Sequence, residues 1–133
     1  MKKIASIIFI LLLIVSLSSC DKYKSSLDTI GLVRIQTSHG FETSFESLED
    51  GQLVFKKQKT VKEEGAIHYS IEVYEGELKL YYDIYGIKEE LAHIKAGESI
   101  DEFGGYVEGG RTVYIIIEVV ENTRCRVCVE LDN

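Results

Sequence analysis

Between residues 67 and 84 the chain reads IHYSIEVYEGELKLYYDI, with apolar side chains on every second position either side of Glu75-Gly76. A period of two sends successive side chains to opposite faces of an extended strand, so this is a strand pattern and not a helical one. A two-residue turn at Glu75-Gly76 predicts a hairpin, because glycine takes the positive φ that such turns need. Its register sets Val73 opposite Leu78, Ile71 opposite Leu80, Tyr69 opposite Tyr82 and Ile67 opposite Ile84. The reverse face pairs Glu72 with Lys79, and His68 with Asp83 as a surface pair. A slip of one residue would spoil both faces together.

The end of the chain repeats the pattern. VYIIIEVV (113–120) and RCRVCVEL (124–131), joined by Glu121-Asn122-Thr123, predict a second hairpin. Val119 then faces Cys125, Ile117 faces Val127, Ile115 faces Val129 and Val113 faces Leu131, with Glu118 meeting Arg126 behind them. Tyr114, Ile116 and Val120 share that reverse face. This is more apolar surface than a wetted face carries, so 113–120 reads as a central strand partly covered on both sides.

LVRIQ (32–36), FETSF (41–45), QLVFKK (52–57, after Asp50-Gly51) and a segment near 99–107 leading into Gly109-Gly110 read as further strands. IKEELAHI (87–94) fits either a bulged strand or a short helix. Proline is absent and glycine supplies the breaks. Seven or eight short strands at regular spacing predict an all-β fold, a small antiparallel β-sandwich.

The first residues follow a different pattern. Lys2 and Lys3 precede IASIIFILLLIVSL (4–17), an aliphatic run of signal-peptide length that falls short of the roughly 20 residues a membrane span needs. Leu17-Ser18-Ser19-Cys20 resembles the lipobox of bacterial lipoproteins. The resemblance implies that the Cys20 thiol receives a diacylglycerol and that cleavage leaves Cys20 as the first residue. The alternative is a plain secretory signal or uncleaved anchor with an incidental cysteine. Asp21, next in line, resembles an inner-membrane retention signal in bacteria with two membranes. The expected organisation is a leader over 1–19, a lipidated tether over 20–30 and the β-sandwich over 31–133. The expected location is the cell membrane, lipid-anchored and facing the extracytoplasmic side, since two or more acyl chains hold a soluble domain to a bilayer almost permanently.

Charge narrows the partners. The net charge of −7 becomes −9 once the leader takes away Lys2 and Lys3 and no acid. Phosphate backbones are repelled by such a domain, which argues against nucleic acid. The same charge gives anionic lipid no attraction, so the acyl chains must supply the attachment. The segments GELKLYYDIYG (76–86) and GGRTVYIIIEVVEN (109–122), followed by a closing strand, resemble the small β-sandwich lipoproteins of low-GC Gram-positive bacteria over about residues 40–131. Members often carry glycine where the last turn enters the closing strand, and Thr123-Arg124 stands here instead. Many of these proteins have no assigned activity, so the resemblance implies a fold and not a function.

Candidate chemistry is sparse. Cys125 and Cys128 form C-R-V-C, and an exported context favours a disulfide. In an extended strand, however, residues three apart lie about 10 Å from each other, where a disulfide needs Cα atoms within about 7 Å. One buried cysteine and one surface thiol is the simpler expectation. A bulge that lets them bridge, or a thiol-disulfide site, is the alternative. His39, His68 and His93 are scattered and no two sit at ligand spacing. Asp101, Glu102 and Glu108 surround Gly104-Gly105 without matching a calcium loop, and GGYVEGG (104–110) lacks the spacing of a phosphate loop. Tyr74, Tyr81 and Tyr85 fall on the outward face of the first hairpin. They form either a ligand platform or a surface covered by the second sheet. No metal site and no cofactor is expected. The expected function is a non-enzymatic binding module for an envelope protein or glycan. The alternatives are an inhibitor or immunity lipoprotein acting on an external hydrolase or toxin, and a thiol-disulfide protein using Cys125 and Cys128.

Overall fold

A computed structural model describes residues 22–37, 39–58 and 64–131. The leader, the lipobox with Cys20, and Asp21 lie outside the described residues. Nine strands are formed: β1 (Thr29–Gln36), β2 (Gly40–Ser47), β3 (Gly51–Gln58), β4 (Gly65–Glu75), β5 (Glu77–Asp83), β6 (Glu89–Lys95), β7 (Ser99–Val107), β8 (Thr112–Val119) and β9 (Arg124–Glu130). They build two antiparallel sheets, ordered β1-β2-β9-β4-β7 and β3-β8-β5-β6. The chain is an all-β sandwich. Residues 87–94, open to two readings, fall mainly in strand β6, whose pairing with β5 is bulged between Leu80 and Tyr81.

The strand order is that of a jelly roll, β2-β9-β4-β7 against β3-β8-β5-β6, with β1 added outside β2. This topology corrects both expected hairpins. β4 and β5 do not pair. β4 lies between β7 and β9 in one sheet, and β5 lies between β6 and β8 in the other. β8 and β9 are separated in the same way. Both short turns are arches that carry the chain from sheet to sheet. Val73, Ile71, Tyr69 and Ile67 are buried, as are Leu78, Leu80 and Tyr82, but they line the interior from opposite sides. The charge pairs are exchanged too. Glu72 stands beside Arg126 and Lys79 beside Glu118, where hairpins would have joined Glu72 to Lys79 and Glu118 to Arg126.

β8 is central as expected. Ile116 on its outer face is fully buried, flanked in register by Val54 and Tyr81. The core between the sheets is aliphatic, with Phe41 stacked on Phe55 at 3.7 Å between centroids. Each such buried side chain contributes about 1.5–3 kcal/mol. The two arches also pack on one another. Thr123 is fully buried, donates its hydroxyl to Val120 O at 2.8 Å and accepts from the Glu77 N–H at 3.2 Å. Gly76 holds φ +81°, and its bare Cα faces Thr123 directly.

Residues 22–28 form a strap. Ser26 N–H donates to Gln52 O at 2.8 Å, and Val54 N–H donates to the Ser25 hydroxyl at 2.9 Å, so the segment runs along the free edge of β3. Tyr23 packs edge-on against Tyr114 of β8, and Lys22 reaches Asp83 at the end of β5. From there the chain crosses to the opposite sheet and enters β1.

Candidate functional site

The three tyrosines do not share a face, because β4 and β5 belong to different sheets. Tyr74 ends the outer face of β4, Tyr81 lies on the outer face of β5, and Tyr85 follows β5 in the connection to β6. Tyr81 is half-buried beneath the Lys88 ammonium, 4.4 Å from its ring centroid. A single platform of Tyr74, Tyr81 and Tyr85 is therefore ruled out by topology.

Cys125 and Cys128 are both free thiols on opposite faces of β9. Cys125 is buried beside Phe45 and Val73, and burial pushes its pKa up to about 12. Cys128 stands between Glu42 and Ser70 on the outer face, and burial first, then the nearby Glu130 and Glu42 carboxylates, raise it as well. Both thiols are held in the protonated, unreactive form, the opposite of what thiol exchange needs. Thiol titration of the folded protein should find no fast-reacting group, and denaturation should release both Cys125 and Cys128 without any reductant. A requirement for reductant would show a bridge.

His68 sits between Asp101 and Glu130, with Phe103 stacked on its ring, and not opposite Asp83 as a hairpin would place it. The hydrogen bond to Asp101 is the main influence raising its pKa. No group of three potential metal ligands gathers among the described residues. The Gly104-Gly105 pair has a packing role, since a Cβ on either would press on the Tyr69 or Tyr82 ring.

Asp83 is the one buried carboxylate among the described residues. It accepts from Tyr23 OH at 2.6 Å, Gly86 N–H at 2.7 Å and Lys22 Nζ at 2.9 Å. Burial alone would raise its pKa, but these donors outweigh burial and hold it below the ordinary carboxylate value. Lys22 also donates to Gly86 O. The group floors a cleft of about 600 Å³ also lined by Glu108, Arg111 and Tyr114. Its charges are already matched: Arg111 Nε donates to Glu108 at 3.0 Å, Tyr85 OH donates to Glu108 at 2.8 Å, and the guanidinium lies 4.8 Å from the Tyr85 centroid. This cleft has the character of a fastening.

A second cleft, about 430 Å³, opens on the outer face of the five-stranded sheet between Ile30, Gly31, Glu46, Tyr74, Arg124 and Arg126. Tyr74 is half exposed and its hydroxyl donates to Glu72 at 2.6 Å. The Arg124 guanidinium lies 5.3 Å from the Tyr74 centroid. Arg126 is held by Glu42 at 2.7 Å, whereas Arg124 makes no ion pair among the described residues.

Beside this cleft runs β1. Ile30, Leu32, Val33 and Ile35 are all 46–55% exposed. Ile30, Val33 and Ile35 stand in register with Glu46, Ser44 and Glu42 on the outer face, and Leu32 falls in a bulge between Ile30 and Val33. One edge of β1 pairs with β2, and the other has no partner strand among the described residues. The alternation of LVRIQ reveals a strand. It carries no sign that the strand is an edge with apolar residues left in water.

No family model matches the sequence, and no curated protein does. Several solved structures superpose on the chain at low sequence identity. TmCBM61, solved in complex with β-1,4-galactotriose, superposes with a TM-score of 0.47 at 10% identity, over 84% of this chain and 86% of that one. A variant of CBM29-2, a family 29 carbohydrate-binding module, gives 0.45 at 11% identity, over 80% and 78%. The mitogen derived from Yersinia pseudotuberculosis gives 0.42 at 11% identity, over 83% and 88%.

Proposed function

We propose that this chain is a lipid-anchored, extracytoplasmic binding module that takes up an extended polypeptide segment along β1. The observation that carries the proposal is the exposure of Ile30, Leu32, Val33 and Ile35 on an edge strand. Soluble sandwiches normally blunt their edges with charges, proline or cover, because a bare strand edge is a template for another chain. β1 has no proline, and no cover over its outer edge among the described residues; one bulge at Leu32 and one charge, Arg34, are all that interrupt it. Its single charge, Arg34, turns inward, with the guanidinium 4.3 Å from the Phe55 ring centroid. Strand addition would satisfy the free backbone groups of β1 and cover its apolar side chains in one step.

The neighbouring cleft supplies selectivity. Arg124 is an available cation over an aromatic ring, suited to an acidic side chain of an otherwise apolar segment. The Cys20 lipobox supports the anchor, and the absence of an assembled catalytic group among the described residues leaves binding as the simplest use of the surface.

The test places a photocrosslinker at Val33 in the full-length protein in native membranes, with Ile35→Lys as the disrupting change. The expected result is a crosslink to one heterologous polypeptide, lost at least tenfold in Ile35→Lys while the melting temperature moves by no more than a few degrees. Crosslinks only to copies of this chain, or glycan binding indifferent to Ile35→Lys, would overturn the proposal.

A further inference from the structure

The strap fixes where an anchored chain can meet its bilayer. Lys22 is clasped to Asp83 and to Gly86 O, and only Asp21 separates it from Cys20. Two steps along the chain span at most about 7 Å even when fully extended. An acyl group on Cys20 is therefore tied closely to the Ile84–Lys88 connection. That connection carries Ile87, 71% exposed and the most exposed large apolar side chain among the described residues, and Tyr85, 57% exposed. A tyrosine and an aliphatic side chain beside an acyl anchor are the residue types that settle at the headgroup boundary.

Charge agrees with this placement although the chain as a whole is acidic. Lys22 and Lys24 of the strap, Lys56 of β3, and Lys79, Lys88 and Lys95 lie on the side of the four-stranded sheet, where they balance Glu77, Asp83, Glu89, Glu90 and Glu118. The outer face of the other sheet carries Glu42, Glu46, Glu72, Asp101 and Glu130 against Arg124 and Arg126, and so stays acidic.

We propose that the clasp between Lys22, Asp83 and Gly86 orients the domain on its membrane, so that Ile87 and Tyr85 enter the lipid interface beneath the four-stranded sheet while β1 and the Tyr74 cleft are held off it. The partner is a lipid surface, and the inference rests on acylation of Cys20. The clasp turns a flexible attachment into a directed one.

The chain contains no tryptophan, so an introduced one is a unique reporter. Full-length Ile87→Trp and Leu32→Trp, with the acylated N-terminus confirmed by mass spectrometry, are reconstituted into phosphatidylcholine vesicles carrying a nitroxide at the headgroup. The expected result is strong quenching and blue-shifted emission for Ile87→Trp and neither for Leu32→Trp. Adding Lys22→Ala to Ile87→Trp should reduce the quenching while acylation persists. Lys22 is half in water but Asp83 is 2% exposed, so the double variant is first shown by its circular dichroism and melting curve to be folded. Unchanged quenching in the folded double variant overturns the role of the clasp. Equal quenching at both positions, or none at Ile87→Trp in acylated protein, overturns the orientation and leaves the anchor standing. An unmodified N-terminus overturns both.

Discussion

Replacing Asp83 with alanine is expected to lower the unfolding free energy by roughly 3 kcal/mol, or about 10–15 °C in melting temperature for a domain of this size. The carboxylate is 2% exposed and takes three donors. Its removal leaves Tyr23 OH and Gly86 N–H without an acceptor, whereas Lys22 can turn to water and limits the loss. The sign of the pH dependence follows from the lowered pKa. A carboxylate whose folded value lies below its unfolded value stabilises fully above the unfolded value, about 4, and loses that contribution as pH falls through the folded one. Urea titrations should therefore show a constant gap between wild type and Asp83→Ala above about pH 5, closing below about pH 4. A gap that instead widens in acid would mean that Asp83 is not held ionised by its donors.

Gly76→Ala should be comparably damaging, by about 3 kcal/mol. A Cβ there would lie 2.1 Å from Thr123 Oγ1 and 2.7 Å from Thr123 Cα, a backbone atom that cannot step aside. The positive φ adds strain of its own. Gly97 provides the control. It holds a similar φ of +84° with nothing near its Cα, so Gly97→Ala should lose only the conformational part, about 1 kcal/mol. Equal losses at the two positions, measured by denaturant midpoint, would show that contact between the arches is unimportant.

Which face each strand buries was legible from alternation; which strand lies beside it was not. A period of two assigns Val73 and Leu78 to the interior whether the turn at Gly76 folds a hairpin or an arch. The charges did not break the tie, because Glu72, Lys79, Glu118 and Arg126 make two opposite-charge pairs under either arrangement. Separating Tyr74 from Tyr81 followed from the same ambiguity. Asp83 was legible only as a polar partner for His68, since its true donors, Lys22 and Tyr23, come from a stretch with no period at all. The exposure of β1 is likewise a tertiary fact: the same four apolar residues would have been partly covered had another strand closed that edge. The placement of Cys125 inward and Cys128 outward, by contrast, follows from strand geometry alone.

The position of β9 between β2 and β4 has a kinetic consequence. β9 occupies the middle of its sheet, so until residues 124–130 are seated the sheet has two unfilled edges and a split core. Most contacts span a long stretch of sequence, which makes for slow closure by the usual relation between contact order and rate. Unseating β9 alone would part β1-β2 from β4-β7, so this one strand decides whether the five-stranded sheet exists at all.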